Sequence, residues 1–130
     1  RSADWLFLTF GTAVVHRHID TGKVVANCHK QPATLFERYL YHPDHLRDDL
    51  TRLLKTLRRA NPKLRVLLTV SPVRHSREGL VLNSASKAAL RSVVHELTVW
   101  HPQVQYFPAY ELMMDDLRDY RFYEADLIHP

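Results

Sequence analysis

Trp5-Leu6-Phe7-Leu8-Thr9-Phe10 runs directly into Gly11-Thr12-Ala13. Six residues of high strand propensity ending in glycine read as a buried parallel strand that delivers a tight turn to the carboxyl edge of a sheet. Open α/β folds bind their ligands at that edge. The segments that follow decide whether such a sheet is completed.

Val14-Val15-His16-Arg17-His18 and Lys23-Val24-Val25-Ala26-Asn27 flank the turn-forming Ile19-Asp20-Thr21-Gly22, which predicts a hairpin at the end of the first strand. Pro43 occupies a first-turn position. Leu46, Leu50, Leu53, Leu54 and Leu57 then recur at helical spacing until Asn61-Pro62 stops the pattern. Leu64 to Val70 reads as a second buried strand, ending in Ser71-Pro72-Val73-Arg74-His75, a loop that lies beside Gly11-Thr12 if the two strands are parallel neighbours. A third unit has Asn83 or Ser84 as helix cap, an apolar face of Leu90, Val93, Val94 and Leu97, and a short strand from Val104 to Phe107. A short helix around Glu111 to Leu117 carries Met113 and Met114 as core fillers, and a closing helix precedes the last five residues. Alternating strands and helices predict a parallel sheet covered by helices. Three strands make a small sheet, so the chain reads as the latter part of a larger α/β domain.

One hundred and thirty residues, 45% of them hydrophobic, suit one domain with one core. Eighteen Lys and Arg against fourteen Asp and Glu give a net charge of +4, and the basic residues are scattered. That distribution lacks the dense basic face of a nucleic-acid binder, although a mild excess favours anionic partners. No apolar run approaches membrane-span length, so no membrane insertion is expected. Cys28 is the single cysteine, which excludes an internal disulfide framework and fits a reducing, cytoplasmic compartment.

Asp126-Leu127-Ile128-His129-Pro130 places a carboxylate three positions before a histidine, the spacing of an oriented general base. Nine histidines also raise a metal reading. His16 and His18 share one face of a strand, and Cys28-His29 on the returning strand can meet them. The set lacks a recurrent ligand spacing, so no metal and no cofactor is expected.

Thr9 to Ala13, Val25-Ala26-Asn27-Cys28-His29-Lys30, Thr69 to His75, Tyr106-Phe107-Pro108-Ala109-Tyr110-Glu111 and Asp119-Tyr120-Arg121-Phe122-Tyr123 through His129-Pro130 together resemble the GSCFA domain family, a branch similar to the SGNH or GDSL hydrolases. The resemblance spans essentially the whole chain. It implies a three-layer α/β/α sandwich of flavodoxin-like, SGNH-hydrolase type, of which residues 1–130 are the C-terminal part, without the first strand. The family's Gly-Ser-Cys-Phe-Ala segment, whose serine resembles the superfamily nucleophile, is absent from these residues. By the same resemblance Asp126 and His129 match the C-terminal Asp-x-x-His block, and Gly11-Thr12 match the start of the Gly-x-Asn block. Ala13 departs from that block, which normally supplies an asparagine to the oxyanion hole. Asn27, which the hairpin can carry back near the strand end, is either the replacement donor, beside an amide N–H of Gly11 or Thr12, or a partner in a hydrogen bond of the hairpin itself. His75 is placed either for substrate contact or for loop anchoring. The implied activity is ester hydrolysis or acyl transfer on a small-molecule, carbohydrate or lipid acyl ester. The competing reading is a noncatalytic module on the same fold that binds an anionic partner.

Overall fold

The structure is a computed structural model that describes residues 2–25, 28 and 30–130. Strand β1 (Trp5–Phe10) lies parallel to β5 (Arg65–Val70), residue for residue from Trp5 opposite Arg65 to Phe10 opposite Val70. Strand β6 (Val104–Phe107) continues the parallel sheet on the other side of β5, in the order β1-β5-β6. The α/β class with a parallel sheet is therefore as the sequence pattern predicts.

Side-chain alternation along these strands splits the sheet into two unlike faces. Leu6, Leu8 and Phe10 of β1, Val66, Leu68 and Val70 of β5, and Val104 and Tyr106 of β6 join one core. The two long helices, α1 (Pro43–Ala60) and α2 (Leu80–Trp100), close that core with Leu46, Leu50, Leu54 and Leu57 from α1 and Ala89, Leu90, Val93, Val94 and Leu97 from α2. The opposite face carries Trp5, Phe7 and Phe107, of which Phe7 is 70% exposed. Arg65 lays its guanidinium over the Trp5 ring on this face. The described residues thus form a three-stranded parallel sheet covered by helices on one face, with β1 as an edge strand.

Helix α1 begins and ends where its sequence signals place it. His42 caps it by accepting the Asp44 N–H through Nδ1, Pro43 takes the first turn, and Asn61 ends it. Asp44 in the first turn and Arg58 and Arg59 in the last complement the helix dipole. Helix α2 begins earlier than expected. Gly79, at φ 82°, precedes Leu80, and Asn83 accepts the His75 N–H through its side chain instead of capping. Leu80 and Val81 are 80% and 87% exposed, so the first turn carries no apolar periodicity that could have announced it.

The hairpin forms as predicted, from β2 (Val14–His18) and β3 (Val24–Val25), and belongs to a second, antiparallel sheet. Its third strand, β4 (Phe36–Leu40), pairs with β2 from Val14 opposite Leu40 to His18 opposite Phe36. Nothing in the sequence pattern announced β4: its exposed positions, Glu37 and Arg38, are adjacent instead of alternating. After β6, one helical turn (Ala109–Glu111) widens into a π turn at Leu112–Asp116, which buries Met113. The expected closing helix is a 3-10 turn at Tyr120–Phe122 followed by irregular backbone. Among the described residues, no helix is long and apolar enough to cross a membrane.

Candidate active site

The C-terminal segment is shaped by hydrogen bonds instead of burial. Asp126 Oδ1 accepts the backbone N–H of Ile128 at 2.9 Å and of His129 at 3.2 Å, closing a turn that folds His129 back over it. Leu127 takes the left-handed conformation at φ 56° to allow this, and Glu124 N–H bonds the His129 carbonyl at 2.8 Å. The second carboxylate oxygen meets His129 Nδ1 at 2.6 Å. Two backbone N–H groups and an imidazole favour the charged form, the Ile128 N–H most strongly, and hold the Asp126 carboxyl down at about 2. A carboxylate bound to Nδ1 fixes the tautomer whose Nε2 lone pair is open, which is the arrangement of a general base.

The loop after β5 holds this turn in place. Arg74 donates its backbone N–H to the Ile128 carbonyl and a guanidinium N–H to the Leu127 carbonyl at 2.6 Å, while its plane lies against Tyr123. His75, next in the chain, stands over the first strand's glycine: a Cβ at Gly11 would lie 3.2 Å from His75 Nε2. The loop therefore lies beside Gly11, as parallel pairing of β1 and β5 requires, and any side chain at position 11 would crowd the imidazole. His75 and His129 line one cleft of about 520 Å³, with His16 and Cys28 on its wall.

Beneath that cleft, Ser86 and Lys87 of α2 grip the Gly11-Thr12-Ala13 turn. Lys87 Nζ donates to the carbonyls of Gly11 and Ser71, both at 2.6 Å, joining the carboxyl ends of β1 and β5. Ser86 Oγ accepts the Ala13 N–H at 2.7 Å. Thr12 Oγ1 donates to Glu78 and accepts the Val14 N–H, so the hydroxyl is fully engaged. Lys87 is 2% exposed, and burial pushes its ammonium down to about 8 from 10.5, with the Glu78 carboxylate opposing the shift.

These contacts sort the predicted residues. Asp126 pairs with His129, His129 shares a cleft with His75, and Gly11 sits under His75. The Thr12 hydroxyl is turned to internal bonding, and the Ala13 N–H is consumed by Ser86. A trans peptide with its carbonyl held by Lys87 directs the Thr12 N–H away from that ammonium. Asn27, together with His29 of the metal set, lies outside the described residues. Among the described residues, no three His, Cys, Asp or Glu side chains are grouped to hold a metal ion. Lys87, Ser86 and Glu78 escaped the sequence reading. One signal was available: Lys87, Leu90, Val94 and Leu97 fall at helical spacing, which puts a lysine in the buried stripe of α2.

An α/β domain with a histidine–aspartate pair set beside its strand ends is the class these features define. Compared with known families, residues 1–130 match the GSCFA family, and the chain belongs to it. No curated protein and no solved structure matches the chain.

Proposed function

We propose that this chain carries the base half of a serine-dependent ester hydrolase or acyl transferase of SGNH type. The observation that carries the reading is the 2.6 Å contact between Asp126 Oδ2 and His129 Nδ1, with His129 on the wall of the cleft beside the strand ends. In this scheme the nucleophilic serine lies upstream of these residues. His129 Nε2 takes the serine proton as the oxygen attacks the acyl carbon, then gives that proton to the leaving alkoxide. A water, or an acceptor hydroxyl in acyl transfer, attacks the acyl-enzyme and loses its proton to the same Nε2, which returns it to the serine. Asp126 stays ionised throughout and stabilises the imidazolium. The Thr12 N–H and the Asn27 side chain are the donors assigned to the developing oxyanion. No cofactor enters this chemistry, and a reducing, cytoplasmic setting suits the lone Cys28.

An activated fluorophosphonate tests the scheme. It should label the full-length protein at a serine upstream of residue 1, with labelling lost in His129→Ala. Labelling of residues 1–130 alone, at Ser71 for instance, would place the nucleophile within this chain and overturn the assignment.

A further inference from the structure

The cleft that holds His129 has an unusual charge balance. Arg38 from β4, Arg74 from the loop after β5 and Arg77 from the turn at Ser76–Glu78 all line it, against a single carboxylate, Glu78. That carboxylate is already committed: it accepts the Thr12 hydroxyl at 3.0 Å and faces the buried Lys87 ammonium. Asp126, next to the cleft, is held by His129. None of the three arginines forms an ion pair among the described residues, whereas Arg17, Arg47, Arg52, Arg91 and Arg121 each have a carboxylate partner.

Their placement is built, not incidental. Arg38 Nη1 donates to the Arg77 carbonyl at 3.0 Å, reaching from the antiparallel sheet to the turn before α2 and closing one side of the cleft. This commits one of its five N–H donors and leaves the rest of the fork for a ligand. Arg74 is fixed by its bond to Leu127 and by the Tyr123 ring. Three arginines thus line one concave site whose single carboxylate is engaged elsewhere, and an anion bound there would meet guanidiniums that have no carboxylate partner of their own.

We propose that this cleft binds an anionic group of the substrate, so that the ester handled at His129 carries a carboxylate or a phosphate, held by Arg38 and Arg77. The inference rests on the esterase reading for the identity of the reaction, and on the cleft alone for the anion.

Two esters with the same six-carbon acyl chain separate charge from size: 4-nitrophenyl hexanoate and mono(4-nitrophenyl) adipate. In the full-length protein the adipate should have the higher kcat/KM, and Arg38→Ala and Arg77→Ala should each lower the adipate-to-hexanoate ratio by about tenfold, the scale of one charge-assisted hydrogen bond. The double charge reversal Arg38→Glu with Arg77→Glu should bring the ratio to one or below. A ratio of one in the unmodified protein, or one that the variants do not move, overturns the proposal. Calorimetric titration of free adipate and of inorganic phosphate into the His129→Ala protein reads the anion site without turnover. Binding that disappears in the double reversal supports the site even where the esterase reading fails, the tighter of the two probes naming the anion. Absence of binding by both refutes it.

Discussion

The strand-end turn lies under His75 and the C-terminal turn is bonded to the neighbouring Arg74, yet opposite forces hold the two. At the strand ends, Lys87 is 2% exposed and donates to two backbone carbonyls under the sheet. At the C-terminus, the His129 side chain is 58% exposed, and its orientation comes from Asp126 and two backbone N–H groups. The first region is fixed by the penalty for an unpaired buried charge. The second is fixed by a local hydrogen-bonded turn that costs little to disturb. In the proposed chemistry the group that accepts and releases the proton, His129, sits in the pliable region, and the strand-end backbone sits in the rigid one.

Substitution should separate the two regions by which property fails. His129→Ala should show the largest effect of all: turnover of 4-nitrophenyl acetate by the full-length protein should fall by roughly three orders of magnitude or more, as for loss of a general base. Its melting temperature should stay within about a degree or two of the parent, because the side chain is more than half exposed and its one side-chain bond is local. Undiminished turnover would remove the base assignment. Lys87→Met should act in the opposite sense. Removing the ammonium strands the Gly11 and Ser71 carbonyls and the Glu78 carboxylate, and should cost about 2–4 kcal/mol in a denaturant titration. A stability loss below 1 kcal/mol would mean that water or a neighbour satisfies those carbonyls, and the contrast between the regions would collapse.

Legibility in the sequence follows the same divide. Elements that bury a regular stripe were readable: α1 through its leucines and its Pro43 and Asn61-Pro62 boundaries, β5 through its apolar run, and the hairpin through its turn residues. The Asp126–His129 pair was readable because both partners lie three positions apart in one turn, so their spacing is their geometry. Strand β4 was not, since Phe36-Glu37-Arg38-Tyr39-Leu40 becomes a strand only through pairing with β2 and has no clean alternation of its own. Nor was the start of α2, whose first turn faces solvent. The contacts of Lys87 span 76 positions to Gly11 and 16 to Ser71, so no local pattern could link them. Its place in the α2 stripe shows only that it is buried.

The pH dependence of the two regions sharpens the comparison. Lys87 has a folded pKa near 8, below its ordinary 10.5, because burial disfavours the charged ammonium. Between those values the unfolded chain binds more protons than the folded one, so this group's contribution to stability rises with pH. The stability gap between the parent and Lys87→Met should therefore widen from pH 8 to pH 10.5, provided the neutral amine keeps donating to both carbonyls. A gap that narrows over that range would mean that the charge itself, and not the donor geometry, holds the strand ends.

Asp126 should show the smallest effect, in a lower pH window and with the same sign as Lys87, since its contribution also rises with pH. Its folded pKa of about 2 lies below the ordinary 3.8, owing first to the Ile128 N–H and then to the His129 ring. Above pH 3.8 the carboxylate is charged in both states and the preference of the folded turn for it is fully expressed. As pH falls through 3.8 toward 2, the unfolded chain takes up the proton first and that contribution is lost. Because the carboxylate is largely exposed, solvent screens these interactions and the loss should be slight in global stability. It should be clearer locally. A ¹³C NMR titration of the Asp126 carboxyl should show a midpoint near 2, and Asp126→Asn should leave the melting temperature almost unchanged while lowering kcat, since an amide cannot stabilise the imidazolium. A midpoint near the ordinary value would show that the turn does not persist in solution, and with it would go the orientation of His129 on which the proposed chemistry depends.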